Sequence, residues 1–171
     1  IAAARCFRSA AFDGEAARIH VSTWSGDEDP RFVTLLVHGY GEHAGRYEHV
    51  GDQMASAGLD AWAYDQRGNG GSGGRRGHVD RWSQLHDDLE ERLQAVRAGA
   101  DGRPVVLYGH SVGGLVVAGY LTSTDRPLPD LAVLTSPAMD STLPRWKLSL
   151  AGVLGKVTPK LEVANGIDPS T

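Results

Sequence analysis

The chain has a single cysteine, Cys6, so no disulfide can close within it and no cysteine cluster can hold a metal. A reducing, cytosolic setting is therefore the default expectation. No apolar run approaches the roughly 18 residues of a membrane-spanning helix, and the opening residues show no signal-peptide pattern. Basic residues are scattered apart from the pair Arg75-Arg76, and the net charge is −4, so the electrostatic footprint of a nucleic-acid binder is missing. With 171 residues, 41% hydrophobic and 22% charged, the chain has room for one domain with a real core and not for a second complete one. It opens on Ile1 and not on methionine, which points to an upstream segment or tag.

What the chain does have is glycine, 22 of them, and one stretch where glycine carries a specific meaning. In residues 104–121, Val105, Val106, Leu107 and Tyr108 form a short apolar run suited to a strand buried on both faces. Gly109-His110-Ser111-Val112-Gly113 then turns directly into a second apolar run, giving strand, sharp turn and helix. Such a Gly-x-Ser-x-Gly elbow holds its serine in a strained backbone conformation, while the flanking glycines let strand and helix approach closely. The hydroxyl of Ser111 then projects outward, and the helix behind it aims its N-terminal amides at any oxyanion forming there. The bare pattern is weak, because Gly70-Gly71-Ser72-Gly73-Gly74 matches it too. No amphipathic run follows Ser72, so Ser72 is assigned to a loop and Ser111 to the nucleophile.

The rest of the chain reads as scaffolding. Partial alternation in residues 5–11 and 17–24, on either side of Asp13-Gly14, predicts an N-terminal hairpin. Residues 32–37 form the first strand apolar enough to be central, ending at His38-Gly39. Tyr47, Val50, Met54 and Ala57 recur at helical spacing and Gly58 supplies the stop. Residues 61–64 form a further strand ending at Asp65, followed by a glycine-rich loop. Trp82, Leu85, Leu89, Leu93 and Val96 lie on one stripe of a helix over residues 79–98, with Asp87, Asp88, Glu90 and Glu91 on the rest. Residues 131–135 read as another buried strand. Alternating strands and helices at this spacing predict a doubly wound, mainly parallel α/β sheet, with His38, Asp65, Ser111 and Ser136 gathered at the carboxyl ends of the strands. After Pro137 the texture changes: Trp146, Leu148, Leu150, Val153, Leu154 and Val157 make an amphipathic helix with no β-rich run behind it. The expected organisation is a core over residues 1–137 and the start of a helical cap over residues 138–171.

Four blocks together resemble a known family. They are the run from His38-Gly39-Tyr40-Gly41-Glu42-His43 through Ala44-Gly45-Arg46-Tyr47, then Tyr64-Asp65-Gln66-Arg67-Gly68-Asn69-Gly70-Gly71-Ser72, then Gly109-His110-Ser111-Val112-Gly113-Gly114, then Leu134-Thr135-Ser136-Pro137. In order and spacing they resemble the monoacylglycerol lipase and lysophospholipase branch of the α/β-hydrolases, with Asn69 where that family usually has histidine and Val112 where it often has methionine. The resemblance implies a serine ester hydrolase acting on lipid esters through an acyl-enzyme on Ser111, with no metal or organic cofactor. It implies an oxyanion hole built from the backbone N–H groups of Tyr40 and Val112, supported by the motif residues His38, Gly39, Gly109, His110 and Gly113. It also implies a cap that lines an acyl channel and touches lipid surfaces, for which Trp146, Leu150, Val153 and Leu154 supply apolar area. His38 and His110 are poor candidates for the general base, since each lies inside a motif that fixes the backbone. His20, His43, His49, His78 and His86 read as exposed or helical surface.

The family takes its catalytic aspartate and histidine from loops after two further strands, which this chain does not contain. Asp140 follows the strand over residues 131–135 with no histidine downstream to orient. The expectation is a C-terminal segment or companion polypeptide that pairs with that strand's exposed edge and supplies acid and base. Without it, the 171 residues are expected to aggregate and to lack full turnover. Two other classes stay open. One is a hydrolase fold used for binding alone. The other is a dinucleotide-binding oxidoreductase: Gly39-x-Gly41-x-x-Ala44 follows a strand and Asp65 ends the next, as a ribose ligand would, with Gly68-x-Gly70-x-x-Gly73 a weaker match.

Overall fold

The computed structural model describes residues 3–8, 18–26, 30–140 and 144. The chain divides into two compact units, Ile1–Pro137 and Ala138–Thr171, and the elements below all belong to the first. The predicted amphipathic run over residues 146–157, with Trp146, Leu150, Val153 and Leu154, lies outside the described residues.

Six strands form one sheet in the order β1-β2-β4-β3-β5-β6. β1 (Ala3–Arg8) and β2 (Arg18–Trp24) pair antiparallel, from Ala3 opposite Thr23 to Arg8 opposite Arg18, so the predicted N-terminal hairpin pairing is present; its turn at Asp13-Gly14 falls outside the described residues. β2 runs antiparallel to β4 (Asp60–Tyr64). From there β4, β3 (Val33–Val37), β5 (Val105–His110) and β6 (Leu131–Thr135) are parallel neighbours. A 3-10 turn over Ala44–Tyr47 leads into α1 (Glu48–Ser56); α2 (Ser83–Ala98) and α3 (Val112–Leu121) are the other α-helices among the described residues.

Every residue of β3 is buried, Thr34 with its four apolar neighbours, as expected of a central parallel strand. Its side chains alternate between two cores. Val33, Leu35 and Val37 join Leu85, Leu89, Leu93 and Val96 of α2 and Val116, Val117 and Tyr120 of α3 on one face. Leu36 joins Trp24, Ala61, Ala63 and Tyr47 on the other, where Val50 and Met54 of α1 pack. The strand period of two thus separates the layers, and all the parallel strands deliver their carboxyl ends to one edge.

Three expectations are corrected. α2 begins at Ser83 and not at residue 79, and Trp82 leaves the stripe: it is exposed, with its ring edge-on to His86 at 6.2 Å. The polar side of that helix is not uniformly solvated, because Gln84, His86, Asp88 and Arg92 are buried. The segment over residues 131–135 is not buried: among the described residues β6 has a strand neighbour on one side, in line with the expected exposed edge, and Leu131 (57% exposed), Val133 and Leu134 face out.

Candidate active site

Ser111 stands between β5 and α3 with φ 52° and ψ −119°, a conformation that costs a non-glycine residue about 1–3 kcal/mol. The surroundings over-determine it. Its N–H donates to the Thr135 carbonyl at the end of β6 (3.0 Å), and its carbonyl accepts from Leu115 N–H in the first turn of α3 (3.1 Å). A Cβ on Gly109 would sit 2.8 Å from the Gly113 carbonyl oxygen and from Gly114 Cα, and one on Gly113 would run into the carbonyl oxygens of Val37 and His38. Both glycines are therefore required by close approach, the first of strand to helix, the second of helix to the end of β3. The result is a partly exposed serine on a rigid mount. Val112 opens α3, so its amide is among those a helix leaves without an internal acceptor.

The turn after β3 approaches from the other side. A Cβ on Gly39 would lie 3.2 Å from Ser111 Cβ, which places the Gly39–Tyr40 peptide beside the serine. His38 is buried beneath this turn, and both its ring nitrogens are engaged. Gln66 N–H donates to Nε2 (2.9 Å), so Nε2 is an acceptor and Nδ1 carries the hydrogen, which it donates to the Gly39 carbonyl at 2.8 Å. Burial holds His38 below the usual histidine pKa, consistent with this neutral form. The amide side chain of Gln66 also donates to the His38 carbonyl (2.7 Å). In a trans peptide C=O and N–H point in opposite directions, so a fixed Gly39 carbonyl fixes the direction of the Tyr40 N–H. His38 is thus a clamp on the backbone with no lone pair left for proton transfer. His110 points elsewhere: its Nδ1 lies 3.1 Å from Thr135 Oγ1, which donates to Tyr108 OH at 3.0 Å, and its ring meets Tyr47 edge-on. Among the described residues no histidine or carboxylate is hydrogen-bonded to Ser111 Oγ.

Asp65 was weighed as a ribose ligand, and the structure corrects that reading. Its carboxylate is buried, with Oδ1 accepting from Ala44 N–H (2.6 Å) and Oδ2 from Gly71 N–H (2.7 Å). It staples the loop after β4 to the loop after β3. The helix that should cradle a pyrophosphate starts with the turn at Ala44 and not at Gly41. Ser72 lies in a loop as expected, but buried: its hydroxyl donates to the Asp65 carbonyl (2.6 Å) and accepts from His20 N–H (2.9 Å). Of the five histidines assigned to the surface, His49 is exposed and His20, His43 and His78 are partly so, whereas His86 is buried against α3 and Tyr120.

Sequence reasoning passed over Glu42, whose carboxylate turns back to accept from Gly39 N–H and from Tyr47 OH, each at 2.8 Å. Its signal was the i to i+3 spacing, which is also that of the reach-back carboxylate in a helix capping box. Gln66 likewise acts on a residue 28 positions away, through its backbone N–H and its side-chain amide, which no local spacing signals.

A mostly parallel sheet wound on both faces, and interrupted after one strand by a positive-φ serine that opens a helix, is the architecture of an α/β-hydrolase. Within that superfamily the chain belongs to the Hydrolase_4 family, whose model, described as "Serine aminopeptidase, S33", matches residues 28–171. A monoacylglycerol lipase of Mycolicibacterium smegmatis is 38% identical over 151 residues, covering 86% of this chain and 53% of the relative. Human monoglyceride lipase is 31% identical over 147 residues, covering 82% and 47%. Among solved structures, the monoacylglycerol lipase of Paleococcus ferrophilus superposes with a TM-score of 0.66 at 33% identity, covering 90% of this chain and 57% of that one. A soluble variant of the Saccharomyces cerevisiae monoglyceride lipase shares the fold, with a TM-score of 0.79 at 24% identity over 97% of this chain and 56% of that one. The chain spans about half the length of the curated relatives it matches.

Proposed function

We propose that this chain carries the nucleophile and oxyanion hole of a serine hydrolase that cleaves carboxylic esters of lipids such as monoacylglycerols or lysophospholipids. The observation that carries the reading is the strained Ser111, mounted between β5 and α3 with the Gly39–Tyr40 peptide against it. Ser111 Oγ attacks the ester carbonyl carbon as its proton passes to a general base. The Tyr40 and Val112 N–H groups receive the oxyanion of the tetrahedral intermediate, where charge develops only on the way to the transition state. The intermediate collapses, the alcohol leaves with the proton, and water then cleaves the acyl-enzyme to release the carboxylic acid. The general base and its acid partner are assigned to parts of the protein outside the described residues, in keeping with relatives about twice as long. The unit over residues 138–171 is proposed as the start of a cap, with Trp146, Leu150, Val153 and Leu154 lining an acyl channel and meeting lipid surfaces.

The test is labelling of the intact protein by a fluorophosphonate, with the adduct located by peptide mass spectrometry, beside hydrolysis of glycerol and phospholipid esters of graded chain length and of aminoacyl amides. The expected result is a single adduct on Ser111, loss of hydrolysis in Ser111→Ala, and preference for lipid esters. An adduct elsewhere, or persistent turnover in Ser111→Ala, sinks the assignment; preference for the amides would move the reaction to the peptidase sense of the family description.

A further inference from the structure

We infer that Glu42 is a positioning residue for the oxyanion turn, acting through the Gly39 amide and held in place by Tyr47. The inference rests on the proposed function of Ser111 and deepens it.

The turn after β3 needs external fixing. Tyr40, whose N–H is assigned to the oxyanion, is 53% exposed. Gly41 follows at φ 69°, a conformation glycine enters and leaves easily. Hydrogen bonds on the peptides upstream fix the backbone here. Two consecutive peptide planes are held. The Gly39–Tyr40 plane is fixed at its carbonyl by His38 Nδ1–H (2.8 Å), and the His38–Gly39 plane is fixed at its N–H by Glu42 Oε2 (2.8 Å). The His38–Gly39 plane is held at its other end by Gln66, which donates to the His38 carbonyl at 2.7 Å, so Glu42 completes the fixing of that plane and the set of bonds defines where the Tyr40 N–H points.

The carboxylate is itself held. The same Oε2 accepts from Tyr47 OH at 2.8 Å, and Tyr47 is buried with its ring edge-on to His110, the residue before the nucleophile. Glu42 therefore connects the oxyanion turn to the floor under the elbow. The contact geometry at Gly39 shows how directly: a Cβ there would lie 2.9 Å from Glu42 Oε2 and 3.2 Å from Ser111 Cβ, so Gly39 is the spacer between the carboxylate and the serine. Burial pushes the Glu42 pKa up, but the hydrogen bonds from Tyr47 and Gly39 outweigh it and hold the carboxyl below its ordinary value. An ionised acceptor makes the stronger bond to an amide.

A negative charge so near a developing oxyanion works against the reaction if it acts through space. Its benefit is geometric, and that separates the two roles experimentally. Glutamine at this position can accept the same two hydrogen bonds without the charge; alanine cannot. In the intact protein, Glu42→Ala is expected to lower kcat roughly 10- to 100-fold with little change in KM, the scale of a displaced oxyanion donor. Its affinity for a trifluoromethyl ketone of the acyl chain, which forms a tetrahedral adduct, should fall in parallel. Glu42→Gln should restore most of both, and Tyr47→Phe should show the same pattern at smaller amplitude. A Glu42→Ala protein with lowered melting temperature but unchanged kcat, a loss confined to KM, or a Gln variant as impaired as Ala would each overturn the inference. If the Ala variant fails to fold, the Gln and Phe variants carry the test: a Tyr47→Phe protein with wild-type kcat and ketone affinity refutes it. Ser111→Ala, run alongside, separates the two levels, since an active Ser111→Ala protein defeats the reading of the site and an inactive one leaves Glu42 judged by its own data.

Discussion

Arg67 and Asp88 meet in a two-pronged ion pair, Nε to Oδ2 and Nη2 to Oδ1, both at 2.7 Å. Arg67 follows directly on Gln66, which holds His38, and Asp88 is buried in the middle of α2, so the pair ties the loop behind the oxyanion turn to a core helix. Asp88 is buried but Arg67 reaches solvent, so removing the carboxylate leaves a charge that water partly compensates, at a cost of about 1–3 kcal/mol, below that of a fully buried pair. Asp88→Ala should therefore lower unfolding stability on that scale, and the double variant Asp88→Leu with Arg67→Met should recover part of it. Urea unfolding of the intact proteins decides this. Additive losses in the double variant would mean the two residues do not act as a pair.

Gly113 offers a sharper test of the elbow. A methyl group there would run into the Val37 and His38 carbonyls, fixed backbone atoms that cannot turn aside as a side chain can. Gly113→Ala is expected to cost at least ~2 kcal/mol. Gly99 at the end of α2 provides the contrast, with φ −92° and nearest neighbours 3.8 Å from an added Cβ. Gly99→Ala should be neutral or slightly stabilising. Equal midpoints for the two variants would show that helix and strand do not approach as described.

Two buried histidines set a pH dependence with a defined sign. Burial lowers the pKa of both His38 and His86, and for His86 the nearby Arg126 adds to it. In the unfolded chain each titrates near 6.5 and takes up its proton before the folded state does. Their stabilising contribution is complete above about pH 6.5 and declines as pH falls towards the folded values, by at most about 1.4 kcal/mol per pH unit for each histidine. Unfolding free energy measured from pH 7.5 to 5 should fall, and His86→Gln should shallow the slope. An unchanged slope in that variant would mean His86 is already protonated, or solvated, in the fold.

Ser72 separates motif from chemistry. Its buried hydroxyl bridges the Asp65 carbonyl and His20 N–H, so Ser72→Ala should cost about 1–3 kcal/mol of stability through the stranded partners. The same variant should keep its fluorophosphonate labelling. Loss of labelling without loss of stability would return Ser72 to the list of nucleophile candidates.

The elements that could be read from sequence were those whose cause is local or periodic. β3 and β5 announce themselves as short, mostly apolar runs, and α3 follows a turn whose glycine spacing marks it, although the contact that demands Gly113 comes from the distant end of β3. Leu85, Leu89, Leu93 and Val96 show the core face of α2 by their spacing alone. What escaped were polar residues whose partners lie far along the chain. Asp88 sits on the helical side that should be wet, and only Arg67, 21 residues upstream, explains its burial. His86 departs from expectation for a related reason: its ring packs on Tyr120, near the end of α3 and 34 residues downstream. Asp65 ends a strand as a ribose ligand would, and two backbone amides on separate loops decide otherwise. Glu42 stood inside a motif quoted in full; its role required knowing that the chain doubles back on Gly39.

The hydrogen bond from Ser111 N–H to the Thr135 carbonyl has a mechanical corollary. Thr135 is the last residue of β6, the outermost strand of the described sheet, with a strand neighbour on β5 alone. The positive-φ serine is thus moored to an outer strand. Whatever steadies or loosens β6 is transmitted through one hydrogen bond to the nucleophile, so the reactivity of Ser111 becomes a strain gauge for the sheet's margin.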